Sequence, residues 1–154
     1  MVSYIDMKIL LKNRRASFDY EILEKYEAGI SLLGFEVKSL RNSQGSINEA
    51  YVIERGNELF LVGAYIPPYQ TKNTPAEYDP YQARKLLLTK GELEKIKNSL
   101  NEKGLTIIPT MVYTTARLLK IQIAIVRGKK KHDKRNVLKK KAENRDLERE
   151  IKNR

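Results

Sequence analysis

Apolar residues alternate with polar ones over much of the chain. From Phe18 onward Tyr20 and Ile22 share one face, followed by Tyr26, Ala28, Ile30 and Leu32. Period two, in a stretch rich in β-branched and aromatic residues, predicts a half-buried strand, bent near Gly29 and ended by Gly34. Residues 35–41, with Phe35, Val37 and Leu40 apolar, predict one or two helical turns, and residues 42–46 are turn chemistry. Tyr51-Val52-Ile53 and Leu59-Phe60-Leu61-Val62 flank Arg55-Gly56-Asn57-Glu58, where Gly56 and Asn57 tolerate positive φ, so a hairpin is expected. Ile66-Pro67-Pro68 stops its second strand. Residues 69–81 are polar and proline-containing and read as a loop, with Asp79-Pro80 as an N-cap and first-turn pair. Thr89-Lys90-Gly91-Glu92 has capping-box spacing; Leu93, Ile96 and Leu100 follow at helical spacing, and Gly104 supplies the stop. Residues 105–113 and 118–126 form a second predicted hairpin around 114–117. In it Ile121, Ile123 and Ile125 lie on one face, Lys120 and Gln122 on the other.

The sum is five or six strands, one well-supported helix and a shorter second one. Short strands with hairpin turns, and a helix inserted before the last pair, predict an all-β fold: an OB-fold-like antiparallel barrel with one or two added helices. Three segments follow: an N-terminal arm over 1–12 with scattered apolar residues, an OB-like body over 13–126, and a basic C-terminal tail over 127–154. The tail is different in kind. Val137, Leu138, Ala142, Leu147 and Ile151 are too sparse for a docking stripe. Its Lys, Leu, Glu, Ala and Arg are nonetheless good helix formers, with Lys139/Glu143 and Glu148/Lys152 spaced i,i+4. The expectation is disorder in the free protein and helix once a polyanion neutralises the charge.

Charge sharpens this division. The 154 residues carry a formal net charge of +11, with 32% charged residues, which points to a polyanionic partner, nucleic acid or an anionic membrane surface. Residues 127–154 hold 13 Lys+Arg against 5 Asp+Glu, a net of +8, so residues 1–126 carry only +3. The tail is the electrostatic device. Cysteine is absent, which removes disulfides, thiolate metal sites and cysteine nucleophiles and fits a reducing compartment. The longest apolar run, 118–126, is interrupted by Lys120 and Gln122 and falls short of the ~20 residues a spanning helix needs. Asp6 and the lack of a small-residue cleavage site argue against a signal peptide. A soluble cytoplasmic protein is expected, with no membrane association.

Catalytic chemistry finds little to work with. The single histidine, His132, sits in a lysine run with only the adjacent Asp133 as a carboxylate, and general acid–base work needs a positioned group in a water-limited pocket. One His and no Cys leave only a carboxylate metal site, and no calcium-loop spacing exists. No enzyme, cofactor or metal is expected. Among nine tyrosines, Tyr20 and Tyr26 are simplest as core, as is Phe60. Tyr51, Tyr69, Tyr78 and Tyr81 fall at strand ends or in the central loop, where they either pack ordinarily or stack on bases. Glu27 should face outward in its strand, either as a solvated carboxylate or as an acceptor for a base or sugar hydroxyl.

Several blocks, in fixed order, resemble one family. Asn13-Arg14-Arg15-Ala16, Asp19-Tyr20, Tyr26-Glu27-Ala28-Gly29-Ile30 and Gly34-Phe35-Glu36-Val37-Lys38-Ser39-Leu40-Arg41 look like the opening of the SsrA-binding protein family, SmpB. Ala50-Tyr51-Val52, Asp79-Pro80, Arg84-Lys85-Leu86-Leu87-Leu88, Lys103-Gly104-Leu105-Thr106, Gly128-Lys129-Lys130 and Asp133-Lys134-Arg135 continue the match. The resemblance implies an OB barrel with added helices that binds the tRNA-like domain of transfer-messenger RNA. It also implies delivery of that RNA to ribosomes stalled without a stop codon, with the tail in the empty mRNA channel near the small-subunit decoding region. Alanyl-tRNA synthetase and elongation factor Tu are implied as partners through the RNA.

Carried over by position, the resemblance makes Asn13, Arg14, Arg15, Glu27, Lys38, Arg41, Tyr51, Arg84, Lys85, Leu87 and Lys120 the RNA-binding set. Gly128, Lys129, Lys130, Lys131, His132, Asp133, Lys134 and Arg135 become the decoding-site segment. Thr74-Pro75-Ala76-Glu77-Tyr78 and Thr114-Thr115-Ala116 depart from the family pattern, both in loops. The rival reading is a generic single-stranded nucleic-acid-binding OB protein, whose affinity would rest on sequence-tolerant stacking.

Overall fold

The computed structural model describes residues 7–129, apart from 71 and 73. Among them the chain runs β1 (Lys8–Lys12), α1 (Ala16–Asp19), β2 (Tyr20–Ile30), α2 (Gly34–Arg41), β3 (Tyr51–Arg55), β4 (Glu58–Val62), β5 (Arg84–Leu87), α3 (Lys90–Leu100), β6 (Leu105–Thr115) and β7 (Leu118–Gly128). The strands pair antiparallel in the order β1-β6-β7-β2-β5-β4-β3, and the sheet curls until β3 comes against β6. The all-β, OB-like barrel expected from the alternation is what forms.

Alternation builds the core directly. Val112, Ile121 and Ala28 stand in register on β6, β7 and β2, so their side chains leave the same face together. That face is inward. Ile121 and Ile123 are fully buried, and Val52, Leu59, Leu61 and Leu86 meet them from the other half of the sheet. Leu40 of α2 and Ile96 of α3 pack into this cluster, each burial stabilising by about 2 kcal/mol. α3 begins where the capping spacing placed it: Thr89 Oγ1 accepts from the amide of Glu92 at 3.3 Å. The Glu92 carboxylate, however, takes the Thr89 hydroxyl at 2.7 Å.

Two strands lie where no strand was expected. β1 occupies part of the supposed arm, and its pairing with β6 shifts register between Ile9 and Leu11. The irregularity turns both Leu10 and Leu11 inward, which erases the period-two signature. β5 follows a turn rather than a helix. The Tyr81 amide donates to Asp79 Oδ1 at 2.9 Å and the Gln82 amide to the Asp79 carbonyl at 3.0 Å, so Asp79-Pro80 opens a turn that feeds the strand.

Arg84, expected on the RNA-facing surface, is instead buried. Its Nε and Nη2 lie 3.0 and 2.6 Å from Glu36 Oε2, and Nη1 donates to the Ala64 carbonyl at 2.8 Å. Nη2 also reaches the Pro80 carbonyl at 2.9 Å and the Tyr78 hydroxyl. Glu36 Oε1 meanwhile accepts from the Leu33 amide at the start of α2. The reason is alternation: with Lys85 and Leu87 outward, Arg84 and Leu86 must point in. Burying this charge is tolerable only because a carboxylate and two carbonyls surround it.

Candidate nucleic-acid interface

The outward face of the sheet is built by the same registers. Tyr113, Lys120, Gly29 and Leu87 form one cross-strand row over β6, β7, β2 and β5, and Met111, Gln122 and Glu27 form the next. One end of this face is covered. Ala16 of α1 packs with Ile108, Ala124 and Val126 in a second small apolar cluster, against which Tyr20 and Ile22 lie. Toward the other end Glu27 and Leu87 are exposed and Lys120 is half-buried, on a four-stranded platform in which Tyr113 is itself buried.

On that platform Glu27 is exposed, and its Oε2 accepts a hydrogen bond from the Tyr113 hydroxyl across β7. Burial and the bond to Glu27 together push the Tyr113 hydroxyl above its ordinary value, so it remains a donor. Tyr113 engages one carboxylate oxygen and holds Glu27 in place. Alternation made Glu27 legible as outward-facing. Tyr113 was not singled out, although its position opposite Lys120 in the second hairpin was the available signal. Leu87 is 51% exposed, an apolar side chain left in water beside Gly29. A Cβ at Gly29 would stand 3.2 Å from Leu87 Cβ, so glycine permits this close crossing of β2 and β5.

The basic residues differ in how freely they can serve a ligand. Lys85 pairs with Glu58 at 2.9 Å, both side chains nearly half exposed. Such a pair contributes at most about 1 kcal/mol, so a phosphate can replace it. Removing one partner of a buried pair like that of Arg84 costs about 3–5 kcal/mol. Lys85 is therefore available and Arg84 is not. Lys120 is half-buried in the open row, and Arg14 is exposed at the end of β1. Arg15 is held by Asp19 at 3.2 Å and lies 5.4 Å from the centre of the Phe18 ring. Lys38 sits 5.9 Å over the Tyr69 ring, and Arg41 donates to the Arg117 carbonyl at 2.9 Å, tying α2 to the β6–β7 turn.

Asn13 is also buried. It is nine-tenths buried and its amide donates to the Pro109 carbonyl at 2.9 Å, while its own oxygen accepts from the Arg15 amide. Pro109 lies at a register shift in β6, where a residue without an N–H is tolerated, and Asn13 secures that irregularity. It is scaffold first. With Arg15, Asp19, Tyr20 and Tyr51 it also lines a cleft of about 190 Å³ between α1 and the segment before β3. Tyr51 there is 47% exposed.

β7 extends to Gly128, which pairs with Tyr20, so the ladder continues past the expected boundary at Val126. Lys129 follows it onto α1: its amide donates to the Asp19 carbonyl at 3.0 Å and its Nζ to the Ser17 carbonyl at 2.6 Å. The expectations for Lys130, Lys131, His132, Asp133, Lys134 and Arg135, and for disorder or helix in the tail, lie outside the described residues. Among the described residues no cluster of His, Cys, Asp or Glu could hold a metal ion, and no helix is long and apolar enough to cross a membrane. What the arrangement offers is recognition chemistry: a positioned carboxylate, exchangeable ammonium groups and exposed apolar contacts on one stiff surface.

Comparison with known proteins points the same way. A family model for SmpB protein matches residues 10–153. The chain is 40% identical over 148 residues to the SsrA-binding protein of Thermosynechococcus vestitus, covering 96% of this chain and 97% of that one. It is 44% identical over 146 residues to the SsrA-binding protein of Ruthia magnifica, covering 95% and 88%. A solved structure described as "tmRNA-SmpB: a journey to the center of the bacterial ribosome" contains a similar chain. It has a TM-score of 0.66 and 40% identity, covering 83% of this chain and 93% of that one.

Proposed function

Because the chain belongs to the SmpB protein family, we propose that it is a non-enzymatic adaptor whose open sheet face binds the tRNA-like domain of transfer-messenger RNA. The observation that carries this is the convergence of Glu27, Lys120, Lys85 and Leu87 on one uncovered face. Lys85 and Lys120 position the RNA through phosphates, while Glu27 accepts from a 2′-hydroxyl or base amino group. Leu87 packs on a ribose or an unstacked base. A rigid platform reads shape, which suits a folded RNA better than a flexible strand. The C-terminal segment, with a net charge of +8 over 127–154, starts from α1 through Lys129. In this proposal it enters the empty mRNA channel of a stalled ribosome near the decoding region, in the cytoplasm. Alanyl-tRNA synthetase and elongation factor Tu act in the same cycle through the RNA.

Binding of the full chain to a tRNA-like RNA and to an unstructured oligonucleotide of equal length tests the proposal. The structured RNA should bind more tightly, and Leu87→Ala or Lys120→Ala should each weaken it about five-fold or more. Equal affinity for both RNAs, unmoved by either substitution, would favour the single-strand reading. The exposure of Tyr51, Tyr69 and Tyr81 is the observation that supports that rival.

A further inference from the structure

A second cleft, about 240 Å³, opens next to the one beneath Tyr51 and shares Asn48 and Glu49 with it. Tyr65 and Tyr81 form its wall, 37% and 58% exposed, with ring centroids 5.1 Å apart and planes tilted by 40°. The backbone carrying both rings is anchored. Tyr65 exchanges two backbone hydrogen bonds of 2.9 Å with Ser46, and the Tyr81 amide is fixed to Asp79 Oδ1 at 2.9 Å. Gly63, at φ +79, brings its backbone close to that of Glu49: a Cβ there would stand 3.2 Å from the Glu49 carbonyl. The backbone of the cleft is thus held from three sides, while its aromatic faces stay in water. Rings on an anchored backbone that stay exposed are poorly used by the core, and the chemistry they suit is stacking.

The occupant follows from geometry and polarity. At 5.1 Å the two rings already touch, so a flat ligand cannot enter between them and must lie on the open face of Tyr81. Glu49 and Asn48, both exposed, line the same cleft. A carboxylate at the edge of a stacked base accepts from two adjacent donors, one for each oxygen. Guanine alone among the four RNA bases presents such a pair, N1–H beside its 2-amino group. Adenine turns a lone pair toward the same place, and cytosine and uracil offer one donor group each. We propose that this cleft is a subsite for an unpaired guanine, stacked on Tyr81, with its N1–H and 2-amino edge read by Glu49 and Asn48 alongside. The proposal deepens the RNA-binding reading and takes its biological ligand from it, but mononucleotides test it independently.

The isotope-labelled full chain is titrated by NMR with guanosine, inosine, adenosine and cytidine monophosphates up to millimolar concentrations, with ribose phosphate as the control for phosphate binding. Guanosine monophosphate should shift the amides of Ser46, Asn48, Glu49, Gly63, Tyr65 and Tyr81. Inosine monophosphate, which lacks the 2-amino group, should bind several-fold more weakly, and the other two more weakly still. Glu49→Gln should erase the preference for guanosine over inosine while leaving residual stacking. Tyr81→Ala should lower affinity about tenfold, and Tyr81→Phe should retain it. Silence of these amides, or equal response to guanosine and inosine, overturns the proposal. Failure here leaves the sheet-face reading to its own test with Leu87→Ala and Lys120→Ala, and failure of that test leaves this titration standing.

Discussion

Arg84 and Lys85 are adjacent cations with opposite fates. One side chain is 1% exposed and locked to Glu36; the other is 44% exposed and shares a surface pair with Glu58. Strand alternation separates them, and the surroundings then fix what each can do. Tyr78 belongs to the buried side. Its hydroxyl lies 2.8 Å from both Glu36 Oε2 and the Ile66 carbonyl. Burial first, and the bond to Glu36 second, push its hydroxyl from 10.0 up to about 12. The folded state therefore holds this proton more tightly than the unfolded chain does. The stabilisation is complete below pH 10 and is lost as pH rises towards 12. Tyr78→Phe should flatten the fall in urea-unfolding stability across that window. Tyr113, raised by burial and its bond to Glu27, and Tyr26, raised to about 12 chiefly by its bond to Glu24, keep the fall from vanishing. An unchanged slope in the variant would show that Tyr78 does not carry the effect.

At the level of elements, legibility follows regularity. β2, the β3–β4 hairpin, α3 and the β6–β7 hairpin each display a period or a cap, legible on either side of the register shifts at Ile22/Glu24 and Pro109/Met111. The first of these shifts sends Tyr20 and Ile22 to the outer cluster and Ala28 to the main core. β1 and β5 do not. In β1 the irregular register buries consecutive leucines, and in β5 an inward arginine imitates a surface strand. Pro109 sits within a strand bonded on both sides, which local rules disfavour, and Asn13 makes it workable from ninety-six residues away. Gly29 is similar in kind: a strand glycine with a purpose visible only once β5 crosses it. Gly29→Ala should force Leu87 aside and destabilise the body by about 1–3 kcal/mol, measured by denaturant melts, with weaker binding of the tRNA-like RNA. Unchanged stability and affinity would mean that the β2–β5 crossing yields without consequence.

Across the whole molecule, the charge boundary at 126/127 falls inside β7, which runs to Gly128. A cut after Val126 would strip Arg127 and Gly128 from their pairing with Glu21 and Tyr20, so the body is better ended at Lys129. Residues 1–129 should keep affinity for the tRNA-like RNA at low salt, because the sheet face remains intact. Their plot of log affinity against log salt should be shallower than that of the full chain, since fewer cations displace counterions. Complete loss of RNA binding on truncation would show that selection does not reside in the body. In the proposed reading the basic segment adds electrostatic reach, while the registers of β6, β7, β2 and β5 place the groups that would discriminate.

Local patterning was enough to establish a β-rich barrel with an inserted helix, an outward Glu27 and Lys120, and a segregated basic terminus. Each of these depends on neighbours a few residues apart, where alternation, capping and charge density act. The burial of Arg84 and Asn13, the Glu27–Tyr113 bond, the close crossing at Gly29 and the Tyr65–Tyr81 cleft join residues distant in sequence. Such contacts exist only after strands choose partners, and pairing depends on which faces can be buried together. The same folding step that hides one expected RNA contact holds its sequence neighbour, Lys85, on the open face.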